Sequence, residues 1–249
     1  MHPVLFGPIR WYGVMLATGF IIGILYAMHR AKKEGVDPEK ILDLSLWLIA
    51  AAIVGSRLLF VISYPGYFIE HPAEIIFSRS GFSMFGGVVC AGAVGIWYLY
   101  RHQLPIWKIA DIMTPAVALG EIFGRFGCFM NGCCFGKPTL RIPWRVTFPY
   151  LNGIQAETLI PRHPSQLYYS LFALLTFIFL ISLRKHKKFD GEVFWSYLIL
   201  YSFLRFWLDM FRGDEVDSLV FSYFTVAQII SIAVFFFSIG VLVRFRSKT

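Results

Sequence analysis

Charge is scarce in this chain, and long hydrophilic stretches are missing. Only 15% of its 249 residues are Asp, Glu, Lys or Arg, and no polar segment is long enough to fold as a separate soluble domain. The four cysteines, Cys90, Cys128, Cys133 and Cys134, do not lay out a disulfide framework, and none are in Cys-x-x-Cys spacing. No internal repeat or low-complexity tract stands out. The opening segment MHPVLFGPIRWYG has no basic n-region and no small-residue cleavage site. A removable signal peptide is therefore not expected, and the first apolar span is expected to stay.

Apolar sequence fills the space. The chain is 57% hydrophobic, with a mean hydropathy of +0.63. These values point to an all-α, polytopic membrane protein rather than a soluble globule. Seven apolar spans are expected at about 11–29, 41–63, 81–100, 108–131, 164–183, 191–211 and 219–243, each near the ~20 residues that cross a ~30 Å hydrocarbon core. The longest connection, 132–163, carries Trp144 and a short candidate strand at Arg145–Phe148; connections of that length are usually functional. The whole chain, 1–249, reads as one transmembrane domain with this loop outside.

The basic residues set the orientation. Thirteen lysines and arginines lie on one side of the spans and seven, among them Arg79, on the other. Positive-inside then puts the N-terminus in the periplasm and the C-terminus, with Lys248, in the cytoplasm. The acidic run Asp214, Glu215, Asp217 falls outside, in agreement. The net charge of +8 sits in short loops, where it sets topology and meets lipid headgroups, so nucleic acid is not an expected partner. Asp111 is expected to face cytoplasmic water near the inner end of its span.

Three arginines interrupt the apolar runs: Arg57, Arg125 and Arg205. Their spans all run outward, and the rise of a helix puts them at depths of roughly 24, 26 and 21 Å from the inner face. A cation in hydrocarbon is expensive, so three at one level suggest a polar layer for an anion, the nearest abundant one being a lipid phosphate. Snorkelling towards the outer interface is the alternative. Glu121 precedes Arg125 by four residues and shares its helix face. Arg205, Asp209 and Arg212 form one polar stripe, and neutralisation alone would also explain both acids. Gly120 and Gly124 make a small-xxx-small pair, Gly86-Gly87 opens the outer half of the third span, and Gly132 and Gly136 flank the exit of the fourth. Close helix packing accounts for such glycines, and so does backbone approach to phosphate oxygens.

These residues fall into a recognisable order. Gly124-Arg-Phe-Gly-Cys-Phe-Met-Asn131-Gly132, followed by Gly136, resembles the signature of the bacterial prolipoprotein diacylglyceryl transferase family. Arg10-Trp-Tyr12-Gly, Gly55-Ser-Arg57-Leu, Arg162-His-Pro-Ser-Gln166-Leu-Tyr and Arg205-Phe-Trp-Leu-Asp209-Met-Phe-Arg212 match in sequence order. The resemblance implies transfer of a diacylglyceryl group from phosphatidylglycerol to the lipobox cysteine of a prolipoprotein, in the bacterial inner membrane. It also implies that Arg125 and Arg205 are catalytic and that Tyr12, Arg57, Asn131, Gly136 and Asp209 support substrate binding. Gly86, Gly87 and Gln166 join the candidate substrate-binding set, and the long outer loop is expected to grip the signal peptide. No cofactor is implied.

The chain departs from the family pattern at five places. Phe85 stands where the family commonly has a histidine. Cys128 replaces the signature asparagine and Cys133 the signature glutamate, Tyr169 replaces a glutamate after the Gln-Leu-Tyr segment, and Asp209 a glutamate in the sixth span. His163 is a candidate substitute base because imidazole titrates in the right range; helix entry at Pro164 explains the same residue. The cysteine cluster fits packing, a redox pair or a metal; without matched histidines it is weak as a ligand set, and no metal is expected. Two other classes of function remain: a membrane thiol–disulfide enzyme, in which the cysteines would matter and the arginines would not, and a lipid or anion transporter, for which inverted repeats would be expected.

Overall fold

The computed structural model describes residues 3–7, 9–77, 81–151, 154–155, 159–213, 219–220 and 224–247. Arg79, Lys248 and the acidic run Asp214, Glu215, Asp217 lie outside the described residues. A short hairpin, β1 (Val4–Phe6) and β2 (Ile9–Arg10), leads into helix α1 (Trp11–Lys33). Then come α2 (Pro38–Ser63), the short α3 (Pro65–Glu70) and α4 (Glu74–Phe77), α5 (Met84–Arg101) and α6 (Ile106–Asn131). The long connection after α6 holds four two-residue strands, β3 (Val146–Thr147), β4 (Tyr150–Leu151), β5 (Ile154–Gln155) and β6 (Pro161–Arg162). Helices α7 (Ser165–Arg184) and α8 (Glu192–Asp209) follow, then a hairpin of β7 (Leu219–Val220) and β8 (Phe224–Thr225), and finally α9 (Val226–Arg246).

Six of these helices, α1, α2, α5, α6, α7 and α9, are long and apolar enough to cross a membrane. Helix α8 has 18 residues but carries Glu192, Arg205 and Asp209, which sets it apart from the six. Large apolar side chains such as Val54, Val89 and Phe236 are exposed while Ser45, Gln166, Glu192, Arg205 and Asp209 are buried. Water does not favour that distribution, but lipid does. The last span starts at Val226, not near 219, because Leu219–Val220 pair with Phe224–Thr225 and Thr225 caps the helix. Its hydroxyl accepts from Gln228 N, and the Gln228 side chain returns a bond to the Thr225 N–H.

The chain divides into two compact units, residues 28–109 and residues 1–27 with 110–249. In the smaller unit α2 packs on α5 through glycines. A Cβ on Gly86 would fall 2.3 Å from the Gly55 carbonyl oxygen, and one on Gly55 would fall 2.3 Å from Cys90 Cβ. Arg57 points from α2 into the connection that follows. It donates to the carbonyls of Glu74, Ile75 and Gly81 and is ringed by Phe60, Phe68 and Phe82.

In the larger unit α1 meets α6 closely, since a Cβ on Gly19 would lie 3.2 Å from Gly120 O and one on Gly127 would lie 3.3 Å from Tyr12 Cδ2. Gly124 has open space on its Cβ side, so it is not part of that contact. Helices α8 and α9 are pinned at both ends: Thr225 Oγ1 donates to Asp209 Oδ2, and Arg246 pairs with Glu192 Oε1. Asp111 does not face water. It is fully buried and accepts from Gly191 N at 2.9 Å, from Phe194 N at 3.0 Å and from Lys187 Nζ at 3.2 Å, so it serves the unfilled donors at the start of α8. Burial works against the charged form of Lys187, but hydrogen bonds to Asp190 and Asp111 outweigh it and hold its pKa above the ordinary lysine value.

Candidate active site

Arg125 of α6 and Arg205 of α8 converge on one aromatic ring. The Arg125 guanidinium carbon sits 4.2 Å from the Tyr169 ring centroid and that of Arg205 sits 5.7 Å away, while Arg205 Nη1 donates to Tyr169 Oη at 3.4 Å. An aromatic face offsets part of the desolvation of a buried cation without neutralising it. Each arginine also has an acid on its own helix: Arg125 Nε lies 3.5 Å from Glu121 Oε1, and Arg205 Nη2 lies 3.4 Å from Asp209 Oδ1. Asp209 is shared with Arg212 at 3.9 Å and takes the Thr225 hydroxyl on its other oxygen. Both acids come from i, i+4 spacing, so the helices themselves orient the guanidinium groups. A small hollow opens beside Arg205, lined by Glu121, Tyr169, Thr176, Tyr197 and Tyr201 among others.

The second part of the site is the exit of α6. Gly132 has φ +70°, its N–H bonds Phe129 O at 3.3 Å, and Cys133 N bonds Cys128 O at 3.1 Å. That is a Schellman ending, which folds the residue after the glycine back onto the one five positions earlier. The sequence thereby brings Cys133 onto Cys128. Cys134 is also left-handed, at φ +56°, without being glycine, and the three sulfurs lie within 4.8 Å of one another. The fully buried Gln166 and Ser165 hold this turn: Gln166 Nε2 donates to Cys133 O at 2.7 Å, and Ser165 Oγ to Cys134 O at 2.8 Å.

Gly136 follows at a backbone crossing. Its N–H donates to His163 O at 2.9 Å, it bridges to Arg212, and a Cβ there would fall 2.5 Å from His163 Cβ. The expected strand is present, since β3 pairs antiparallel with β6. His163 sits half-buried against Phe211, with Nδ1 3.3 Å from Tyr168 Oη, and is not among the residues lining the pocket. Burial lowers its pKa below the ordinary 6.5, so it is neutral at pH 7. Asn131 ends α6, half-buried.

The structure thus brings Arg125, Arg205, Asp209, Gln166, Gly136 and His163 into one unit, with Tyr12 packed on Gly127. Arg57, Gly86 and Gly87 belong to the other unit, where the first holds the 74–81 connection and the glycines serve the α2–α5 contact. Sequence reasoning passed over Tyr169, noting it only as a replacement for a glutamate. Its spacing gave a signal: Ser165, Gln166, Tyr169, Ala173 and Thr176 form the buried face of α7. Thr225 is the other member not singled out, recognisable only once α8 and α9 are packed together, while Arg212, read as part of the polar stripe, pairs with Asp209 as that stripe implies.

Apolar spans packed around a buried Arg205, a half-buried Arg125 and a small adjoining hollow define a polytopic membrane protein with a cationic site among its helices. The chain belongs to the prolipoprotein diacylglyceryl transferase family, whose model matches residues 3–244. It is similar to the phosphatidylglycerol–prolipoprotein diacylglyceryl transferase of Finegoldia magna, with 34% identity over 242 residues, 96% of this chain and 92% of the relative. The protein of that name from Pediococcus pentosaceus is 35% identical over 260 aligned positions, covering 100% of this chain and 91% of the relative. That from Synechococcus elongatus is 35% identical over 242, covering 93% and 81%.

Proposed function

We propose that this chain transfers a diacylglyceryl group from phosphatidylglycerol to the lipobox cysteine of prolipoproteins, forming a thioether and releasing glycerol phosphate. The observation that carries the reading is the meeting of Arg125 and Arg205 on Tyr169 beside the pocket. When the incoming sulfur attacks the glycerol carbon, the carbon–oxygen bond to the phosphate breaks and negative charge grows on the leaving group. Guanidinium groups already held against Tyr169 in a low-dielectric site stabilise that charge more in the transition state than in the ground state. Glu121 and Asp209 fix the arginines, the Tyr169, Tyr197 and Tyr201 hydroxyls offer further donors, and the acyl chains stay in the membrane. Neutral His163 is available to accept the thiol proton. Tyr12, Asn131, Gly136 and Gln166 shape the path by which the peptide sulfur reaches the pocket, and Arg57, Gly86 and Gly87 order the outer ends of α2 and α5.

We place the protein in the bacterial inner membrane, with α8 as a seventh span, the N-terminus in the periplasm and residues 132–163 outside, where they meet the signal peptide. Phosphatase and fluorescent-protein fusions to the two ends check this: seven spans put the ends on opposite sides, six on the same side. The function is tested in liposomes with a synthetic lipobox peptide. A diacylglyceryl adduct on the peptide cysteine is expected by mass when phosphatidylglycerol is present, and none when phosphatidylethanolamine is the only phospholipid. An adduct made equally well from either lipid, or no adduct at all, contradicts the assignment.

A further inference from the structure

The mechanism above leaves one cluster unused, the sulfurs of Cys128, Cys133 and Cys134. We propose that these three cysteines hold a zinc ion whose fourth position takes the sulfur of the incoming lipobox cysteine. This inference rests on the transferase reading.

Two features of the chain carry it. The first is spacing: all three Sγ atoms lie within 4.8 Å of one another, and a tetrahedral zinc at ~2.3 Å from each sulfur needs them at ~3.8 Å, so an approach of about 1 Å completes the set. The second is preorganisation. The Schellman ending lays Cys133 over Cys128, and the left-handed Cys134 turns its side chain to the same side instead of the opposite one. A non-glycine residue in that conformation is disfavoured and persists only where its surroundings hold it. The bonds from buried Gln166 and Ser165 to the two cysteine carbonyls do so here. Plain packing needs no such turn.

Three protein ligands and an open position form the pattern of a catalytic rather than a structural zinc. A thiol that coordinates zinc is deprotonated outright, so the ion itself would supply the lipobox sulfur as thiolate. The lipobox thiol binds as thiolate and its proton passes to water or to neutral His163. The sulfur's electron pair forms the carbon–sulfur bond, and the carbon–oxygen pair departs with the glycerol phosphate. The product thioether is a weaker ligand than the thiolate and leaves.

The test uses the full chain in detergent, expressed with zinc and purified without chelator. About one zinc per chain is expected, falling to near zero in Cys128→Ser, Cys133→Ser and Cys134→Ser variants whose melting midpoints show them folded. Cobalt substitution gives a second readout that needs no activity. A thiolate-to-cobalt charge-transfer band is expected, and it should change when the lipobox peptide is added but not with a peptide whose cysteine is serine. A metal-free chain that transfers at the full rate overturns the inference and leaves the transferase reading standing, as does zinc content unaffected by the cysteine variants. A disulfide among the three in the intact wild-type mass also overturns it. A cobalt spectrum indifferent to the peptide removes the fourth-ligand role. Zinc bound through the cysteines in a wild-type chain that makes no adduct supports the metal site and sinks the transferase reading.

Discussion

At the scale of single residues, the site is built from side chains that satisfy one another before any substrate arrives. Tyr169 receives both arginines, Asp209 is shared by Arg205, Arg212 and Thr225, and Gln166 spends its amide on Cys133. His163 gives a pH prediction. Its folded pKa lies below the ordinary 6.5, so the unfolded chain takes up the proton first as pH falls. The contribution of the neutral ring to stability is complete above that value and is lost below it. The melting midpoint in detergent should therefore drop between about pH 7.5 and about pH 5.5 in the wild type, and drop less in His163→Phe. Equal drops would mean that His163 does not carry the effect. The arginines were legible in the sequence because a charge in an apolar run is conspicuous. Their common partner was not, because a tyrosine among many aromatics carries no such contrast.

At the scale of elements, hydropathy located most of the long helices to within a few residues, since lipid imposes length and apolarity on a span; of the seven expected spans six are long and apolar enough to cross a membrane, and α8 is not among them. It failed where another rule took over locally. The hairpin at 219–225 is apolar enough to read as helix, yet the capping pair Thr225 and Gln228 starts α9 later. The cysteine turn was unreadable from composition, because it depends on the left-handed Gly132 and Cys134 rather than on any run of residues. Gly86 shows what a glycine contributes at a helix crossing. A side chain there would strike the Gly55 carbonyl and Leu59, whereas one on Gly92, on the same helix, meets nothing within 4 Å. Gly86→Val should destabilise the protein by about 3 kcal/mol and Gly92→Ala should be near neutral, both read from thermal unfolding in detergent. An unchanged midpoint in Gly86→Val would refute the close crossing.

At the scale of the whole molecule, the family match over residues 3–244 and the packing around Arg125 and Arg205 rest on independent grounds. The first comes from sequence order, the second from physical cost: buried guanidinium groups persist in an apolar bundle only where partners or a ligand compensate them. The central claim is that these two arginines clamp the phosphate that leaves. The most direct measurement is the initial rate of peptide modification in phosphatidylglycerol liposomes for the wild type, Arg125→Ala and Arg205→Ala, with the exposed Arg244→Ala as a control. Each of these two arginine variants should lose a factor of about 10² or more while the control keeps its rate. Wild-type rates in both would contradict the account.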